Sequence, residues 1–315
     1  MRIGNLVLIV IASLCFSLHV KAQWDPQISQ YWRAKTFFNP SFAAENDTLQ
    51  ASILHRMQWV GVNNAPRTSI MSADMPLHFM ERKHGIGIVA MVESVGLFRN
   101  MTVGGQYVYK KRVKKNMLNV GVQVGYASIA FDASKINFPD DQKPDLEGLI
   151  PDQKTQSAKV DGNIGVSWIA PNYYIGLSST HLLEPSFDVG DNLTSYIARH
   201  YYFTAGYTLT LRNPLYVLQP SVLVKTDASI VQYDVTARVI YNKIFNGGVS
   251  WRKGDGFVFL LGLNALGFDA GYAYDLSTSA IAKVSSGTHE FFLRYTIPMV
   301  KKKKGRFSHK SIRLL

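Results

Sequence analysis

Polar and apolar residues alternate one for one over most of this chain, and the alternation is cleanest near its end. From Phe268 to Asp275, Phe268, Ala270, Tyr272 and Tyr274 fall on one side, and Asp269, Gly271, Ala273 and Asp275 on the other. From Glu290 to Ile297, Phe291, Leu293, Tyr295 and Ile297 share a side, opposite Glu290, Arg294 and Thr296. Side chains of an extended strand point alternately to its two faces, so each run predicts a strand with one greasy and one polar face. The same period recurs at 49–60, 67–77, 84–93, 101–113, 116–131, 161–170, 173–182, 199–211, 215–226, 229–242, 243–253 and 256–266. Within 116–131, Leu118, Val120, Val122, Val124 and Tyr126 are expected outward, and Asn119, Gly121, Gln123 and Gly125 inward. A tilted strand crosses a bilayer core in about nine to eleven residues, which these runs match, and no amphipathic helix intervenes. The pattern predicts an all-β fold, a transmembrane antiparallel β-barrel of about fourteen strands, an even number as in bacterial single-chain barrels.

The ends of the chain follow other rules. Residues 1–22 open with Met1-Arg2, continue as an apolar core from Ile3 to Val20 and finish in Val20-Lys21-Ala22, which reads as a secretory signal peptide cleaved near Ala22. Residues 23–48 do not alternate, are interrupted by Pro26 and Pro40, and hold Trp24, Tyr31, Trp32, Phe37, Phe38 and Phe42. An aromatic leader of this kind plugs a lumen, lies at the membrane interface or docks a partner, and we expect a periplasmic leader beneath a barrel spanning 49–298. The segment 299–315 begins with Met299-Val300-Lys301-Lys302-Lys303-Lys304 and is expected as a basic periplasmic tail, in reach of anionic headgroups or an acidic partner. Pro171-Asn172 and Asn213-Pro214 predict tight periplasmic turns. The polar insertion 132–158, acidic at 132, 140, 141, 145, 147 and 152, predicts an external loop.

Composition narrows the chemistry. The formal charge of +12 falls to +10 when Arg2 and Lys21 leave with the signal peptide. No nucleic-acid module gathers that charge. The only cysteine, Cys15, lies in the signal peptide, so the mature chain is expected to hold no disulfide and no thiolate chemistry. Inward-facing ionisable residues are Arg56, Asp74, Glu93, Asp234, Arg238, Asp269, Asp275, Glu290 and Arg294, read as a lumen charge network whose members pair to satisfy one another. His289 and Glu290 are neighbours on a strand and face opposite ways, so they do not make a base and its orienter. His181 and His200 lack the spacing of metal ligands. Gly85-Ile86-Gly87 and Gly104-Gly105 are strand glycines where backbones approach or the wall bends; they are not phosphate cradles, because no helix follows them. We expect no enzyme, no metal and no cofactor.

Several short motifs go further. Asp25-Pro26-Gln27-Ile28-Ser29-Gln30-Tyr31 and Asn39-Pro40-Ser41-Phe42-Ala43 open the mature chain. Arg56-Met57-Gln58-Trp59-Val60-Gly61, Ala65-Pro66-Arg67-Thr68, Gly85-Ile86-Gly87-Ile88 and Ser286-Gly287-Thr288-His289-Glu290 follow. Together they resemble the PorP/SprF family, with Ala43-Ala44 standing where that family often has Ala-Gly. The resemblance implies an outer-membrane component of the type IX secretion system of Bacteroidota, linked to gliding motility and surface-protein export. It implies docking of a periplasmic ring lipoprotein, other secretion components and secreted surface cargo rather than catalysis. On that reading Trp24, Asp25, Pro26, Gln30, Tyr31, Trp32, Asn39, Pro40 and Lys301 to Lys304 are the candidate partner-binding residues. The rival reading is a passive outer-membrane porin or hydrophobic-solute channel.

Overall fold

The computed structural model describes residues 25–299 apart from 47, 80, 133–154 and 189–193. The expected signal peptide, Trp24, most of the acidic loop and Lys301 to Lys304 lie outside the described residues. Fourteen strands form one antiparallel ring. They are β1 (Thr48–Met57), β2 (Arg67–Phe79), β3 (Arg82–Val95), β4 (Phe98–Val113), β5 (Asn116–Phe131), β6 (Thr155–Ile169) and β7 (Tyr173–Thr180), followed by β8 (His200–Tyr207). The remainder are β9 (Tyr216–Thr226), β10 (Val231–Tyr241), β11 (Phe245–Arg252), β12 (Gly256–Ala265), β13 (Phe268–Ser277) and β14 (Thr288–Pro298). β8 resumes briefly at Leu209–Thr210 and pairs with both β7 and β9. The ring closes where β1 meets β14, from Thr48 opposite Pro298 to Met57 opposite His289. A closed ring leaves no backbone edge unpaired in hydrocarbon.

Some bounds differ from the expected ones. β1 stops at Met57 because Trp59 turns to a φ of 50°, three residues short of the expected end. β6 begins at Thr155 and pairs fully with β5, where polar side chains outside the membrane hide the alternation. At the end where β1 starts and β14 finishes, connections are short: 81 closes β2 to β3, and 114–115, 170–172, 211–215, 242–244 and 266–267 close the rest. The opposite end carries the long ones, 58–66, 132–154, 181–199 and 278–287. The third of these folds as a small hairpin, Ser186–Asp188 against Thr194–Tyr196.

The outer face is apolar as expected, with Val122, Val124, Tyr126, Val235, Val239, Phe291, Leu293 and Tyr295 exposed. The inner face is not simply polar. Leu54, Ile70, Val89, Met91, Leu223, Val258, Leu260 and Phe292 point inward and pack with Ile28, Tyr31, Trp32 and Phe38 of the leader. The core of the molecule therefore lies inside the ring. The leader expected beneath the barrel runs through it instead, because these inward apolar positions need cover that water would not supply.

Candidate functional site

The leader enters the described structure near the long-loop end, at Asp25, and leaves at the short-turn end, at Ala44. It carries a four-residue helix, Lys35–Phe38, and a 3-10 turn, Pro40–Phe42, whose first amide donors are capped by Asn39: Ser41 N donates to Asn39 Oδ1 at 2.9 Å. Asn39 also donates to the carbonyls of Val166 and Leu177, at 3.3 and 3.1 Å, so the same side chain ties the turn to the wall. The wall makes room with glycines. A Cβ at Gly165 would lie 2.0 Å from Asn39 Oδ1, one at Gly121 2.4 Å from Ser41 N, and one at Gly271 1.6 Å from Arg33 Nη1.

At the long-loop end Asp25 is held by four groups. His181 Nε2 lies 2.9 Å from its Oδ1, Tyr202 and Thr180 donate to Oδ2 at 2.5 and 3.2 Å, and Lys225 donates to its carbonyl at 2.9 Å. The other ring nitrogen of His181 is 2.5 Å from Asp161 Oδ2. Burial alone would push the His181 imidazolium down, but the Asp25 carboxylate, joined by Asp161, raises it from its ordinary 6.5 to about 9. Burial would raise Asp25, yet His181, with His200 and Lys225 farther off, holds it well below the usual carboxylate range. An imidazolium thus bridges two carboxylates, one on the leader and one on the wall.

Midway, Ser29 sits among five charges. Its hydroxyl lies 2.7 Å from Asp275 Oδ2, 2.8 Å from Arg56 Nη1 and 3.2 Å from Arg252 Nη2. Its amide and that of Gln30 donate to the two oxygens of Glu290, at 2.8 and 2.7 Å. Arg56 bridges Asp275 and Glu290 at 2.8 and 3.1 Å, and Arg252 bridges Asp234 and Asp275 at 3.0 and 2.9 Å. Arg56 is on β1 and Glu290 on β14, so this cluster staples both closing strands to the leader. Toward the short turns, Tyr31 shares hydrogen bonds with Ser221 and Thr236 at 2.9 and 3.0 Å, and Arg33 pairs with Asp269 at 2.7 Å. Arg238 stacks 4.1 Å over Trp32, Arg294 donates to the Arg33 carbonyl at 2.5 Å, and Asp74 accepts from Ala44 N at 2.8 Å. Lys110 donates to the Ala44 carbonyl.

The expected charge network therefore divides. Arg56, Asp234 and Glu290 meet in one cluster; Asp74, Arg238 and Arg294 hold other parts of the leader. Glu93 stands apart, accepting from Thr68 and Asn100 at 3.0 and 3.3 Å. Asp25, Pro26, Gln30, Tyr31, Trp32, Asn39 and Pro40, expected at a docking surface, are all buried against the wall. Sequence reasoning passed over Arg252, His181 with Asp161, and Ser29. Arg252 already falls within the run expected at 243–253 and ends β11, on the inward face with Ser250, whereas nothing local to His181 or Ser29 announces their partners. The contacts fix a segment in place: apart from Glu93 and its partners, each of these clusters includes a hydrogen bond or ion pair to the leader. Among the described residues no group of three or more His, Cys, Asp or Glu side chains is placed to hold a metal ion.

Solved structures share the ring. The toluene transporter TbuX of Ralstonia pickettii is similar at 12% identity and a TM-score of 0.51, over 84% of this chain and 93% of that one. The CymD monoaromatic hydrocarbon channel is similar at 12% identity and 0.51, over 90% and 96%. At such identity the likeness is one of fold, a closed outer-membrane-type barrel. No curated protein matches the sequence. The family described as type IX secretion system membrane protein PorP/SprF matches residues 20–295 of the 315. A barrel of fourteen strands closed around its own leader, carrying that family's sequence pattern from end to end, belongs to the PorP/SprF family.

Proposed function

We propose that this chain is a non-enzymatic docking component of the type IX secretion machinery, a sealed platform in the outer membrane rather than a pore. The observation that carries the reading is the leader pinned along the lumen, which occupies the axial route that a diffusion channel would leave open. Short turns and both strand termini at one end match the periplasmic side of a bacterial barrel. On this reading the short-turn end meets a periplasmic ring lipoprotein and other secretion components, and the loops around 132–158 meet secreted surface cargo. The chain reaches the membrane after signal-peptide cleavage near Ala22, and the basic tail hangs beneath the barrel beside that machinery.

The test is affinity purification of the tagged protein from detergent-solubilised outer membranes, with bound proteins identified by mass spectrometry and the same sample reconstituted in a planar bilayer. The expected result is recovery of a periplasmic lipoprotein and a large secreted protein, with no steady conductance. A barrel recovered alone that conducts ions, or passes aromatic hydrocarbons into liposomes, would replace this reading with the passive porin or hydrophobic-solute channel.

A further inference from the structure

Between the leader and the wall, just inside the short-turn mouth, lies a cavity of about 360 Å³ that reaches the rim at Ala170, Pro171 and Asn172. Four cations line it, Arg33, Lys35, Arg238 and Arg294, against two carboxylates, Glu45 and Asp269. Both carboxylates are already engaged, Asp269 by Arg33 at 2.7 Å and Glu45 by Lys35. Arg238 and Arg294 take part in no ion pair among the described residues. Arg238 is 9% exposed; its Nη2 donates to Gln219 Oε1 at 2.9 Å, and its Nε is buried without a partner. Arg294 donates to the Arg33 carbonyl and stacks 5.1 Å over Phe292. Two more lining side chains hold buried polar atoms without partners, Trp32 at Nε1 and Tyr174 at its hydroxyl.

Arg238 and Arg294 make no ion pair among the described residues, and the two lining carboxylates are engaged by Arg33 and Lys35, so cations outnumber free acids along the cavity and call for an anionic acceptor. The flat fork of arginine matches the two oxygens of a carboxylate. The volume falls in the range of small-ligand sites. We propose that this cavity binds a carboxylate entering through the short-turn mouth, with Arg238 and Arg294 as its binding cations.

The surroundings favour such a guest. Arg82, Lys83, Lys111, Arg112, Lys114 and Lys115 crowd the same rim beside the single acid Glu81, and a rim of one sign raises the local concentration of anions. The chain's own tail, KKKKGRFSHKSIRLL, has the wrong sign for the cavity. The carboxylate has two possible sources, an acidic peptide segment or a small polycarboxylic acid. The site goes beyond the docking role proposed above and does not depend on it.

The test is isothermal titration calorimetry of the full-length barrel in a zwitterionic detergent, with citrate, hexaglutamate and hexalysine as probes. Binding of citrate, hexaglutamate or both, with none of hexalysine, is expected. Arg238→Gln and Arg294→Gln should each weaken it roughly tenfold or more, the loss expected for a charged hydrogen bond. Both variants must retain the folded, heat-modifiable band on electrophoresis. The rim variant Lys114→Gln/Lys115→Gln should bind within a few-fold of the parent. Hexaglutamate alone binding assigns the site to a peptide; citrate binding as well assigns it to small acids. No saturable binding of either acid, or binding that falls with the rim variant and not with Arg238→Gln and Arg294→Gln in folded protein, would overturn the proposal.

Discussion

The hydroxyl of Ser29 touches Asp275, Arg56 and Arg252 at once, and the two guanidinium groups pair directly with the buried carboxylates of Asp234, Asp275 and Glu290. Breaking a buried pair is harsher than never having made it, because the remaining charge stays buried without compensation. Arg252→Met should therefore destabilise the folded barrel by about 3–5 kcal/mol, read from urea unfolding in detergent by loss of the heat-modifiable band. Tyr31→Phe removes a hydroxyl but no charge and should cost about 1 kcal/mol in the same assay. The Asp25–His181 bridge gives a dependence on pH. The His181 contribution is complete below its ordinary 6.5 and is lost as pH rises through about 9; that of Asp25 is complete above its ordinary 3.8 and is lost as pH falls below it. Asp161, His200 and Lys225 face the same pair. Limited proteolysis of the leader should thus be slowest between these limits and quicken above pH 9, and His181→Gln should remove the alkaline limb. Protection unchanged from neutral to strongly alkaline pH would show that the bridge does not hold the leader.

At the scale of elements, the 3-10 turn Pro40–Phe42 sits where Gly121 and Gly165 leave space. Gly121→Val has to displace backbone rather than a flexible side-chain tip, so the turn should detach; a cysteine introduced at Ser41 should then react faster with a water-soluble maleimide than it does beside native Gly121. The sequence marked other glycines, of which Gly85 and Gly87 meet Ala43 of the leader while Gly105 meets nothing among the described residues; Gly121 was only expected inward, and Gly165 was not singled out. The strands were the most legible part. Val231 to Tyr241 and Phe268 to Asp275 carry their alternation in the letters themselves, and the ring follows from repeating it. The leader was less legible, because an inward leucine and a lipid-facing leucine are written alike. Leu54, Ile70, Leu260 and Phe292 needed cover that period-2 reasoning does not supply, and adjacent Phe291 and Phe292 were the local sign that an apolar side chain sits among the charges on the inward face of β14. Charges on cleanly alternating strands, Arg56, Asp234 and Glu290, are buried inside the ring. Their partners on the leader and at strand ends, Ser29, Arg252 and His181, depend on contacts between distant parts of the chain.

For the whole molecule, filling decides conduction. Removing residues 25–44 while keeping the signal peptide should leave a ring that folds, by heat-modifiable mobility, but passes ions in a planar bilayer where the intact protein does not. Equal, silent traces from both would mean that the wall collapses onto the vacated space. The ends of the barrel also differ in charge. Arg82, Lys83, Lys111, Arg112, Lys114 and Lys115 gather at the short-turn end, whereas the described connections of the long-loop end mix Asp132, Glu184, Asp188, Asp227 and Asp255 with Arg199, Lys253 and Lys283. A molecule so polarised presents chemically different faces to the two sides of a membrane.

The staple between β1, β14 and the leader sets the order of assembly. Ten residue pairs join the first and last strands, and the bond from Ser29 to Glu290 spans 261 positions of chain. Once that final ladder is zipped, the wall is continuous, and a segment with an internal helix and several buried charges has no sideways route in. Laying the leader against the wall while the ring is still open avoids that barrier, and the pairing of Arg56 with Glu290 then forms as β1 meets β14. The part of the mature chain made first thus waits for the part made last, and closure of the barrel doubles as a check that the leader is in place.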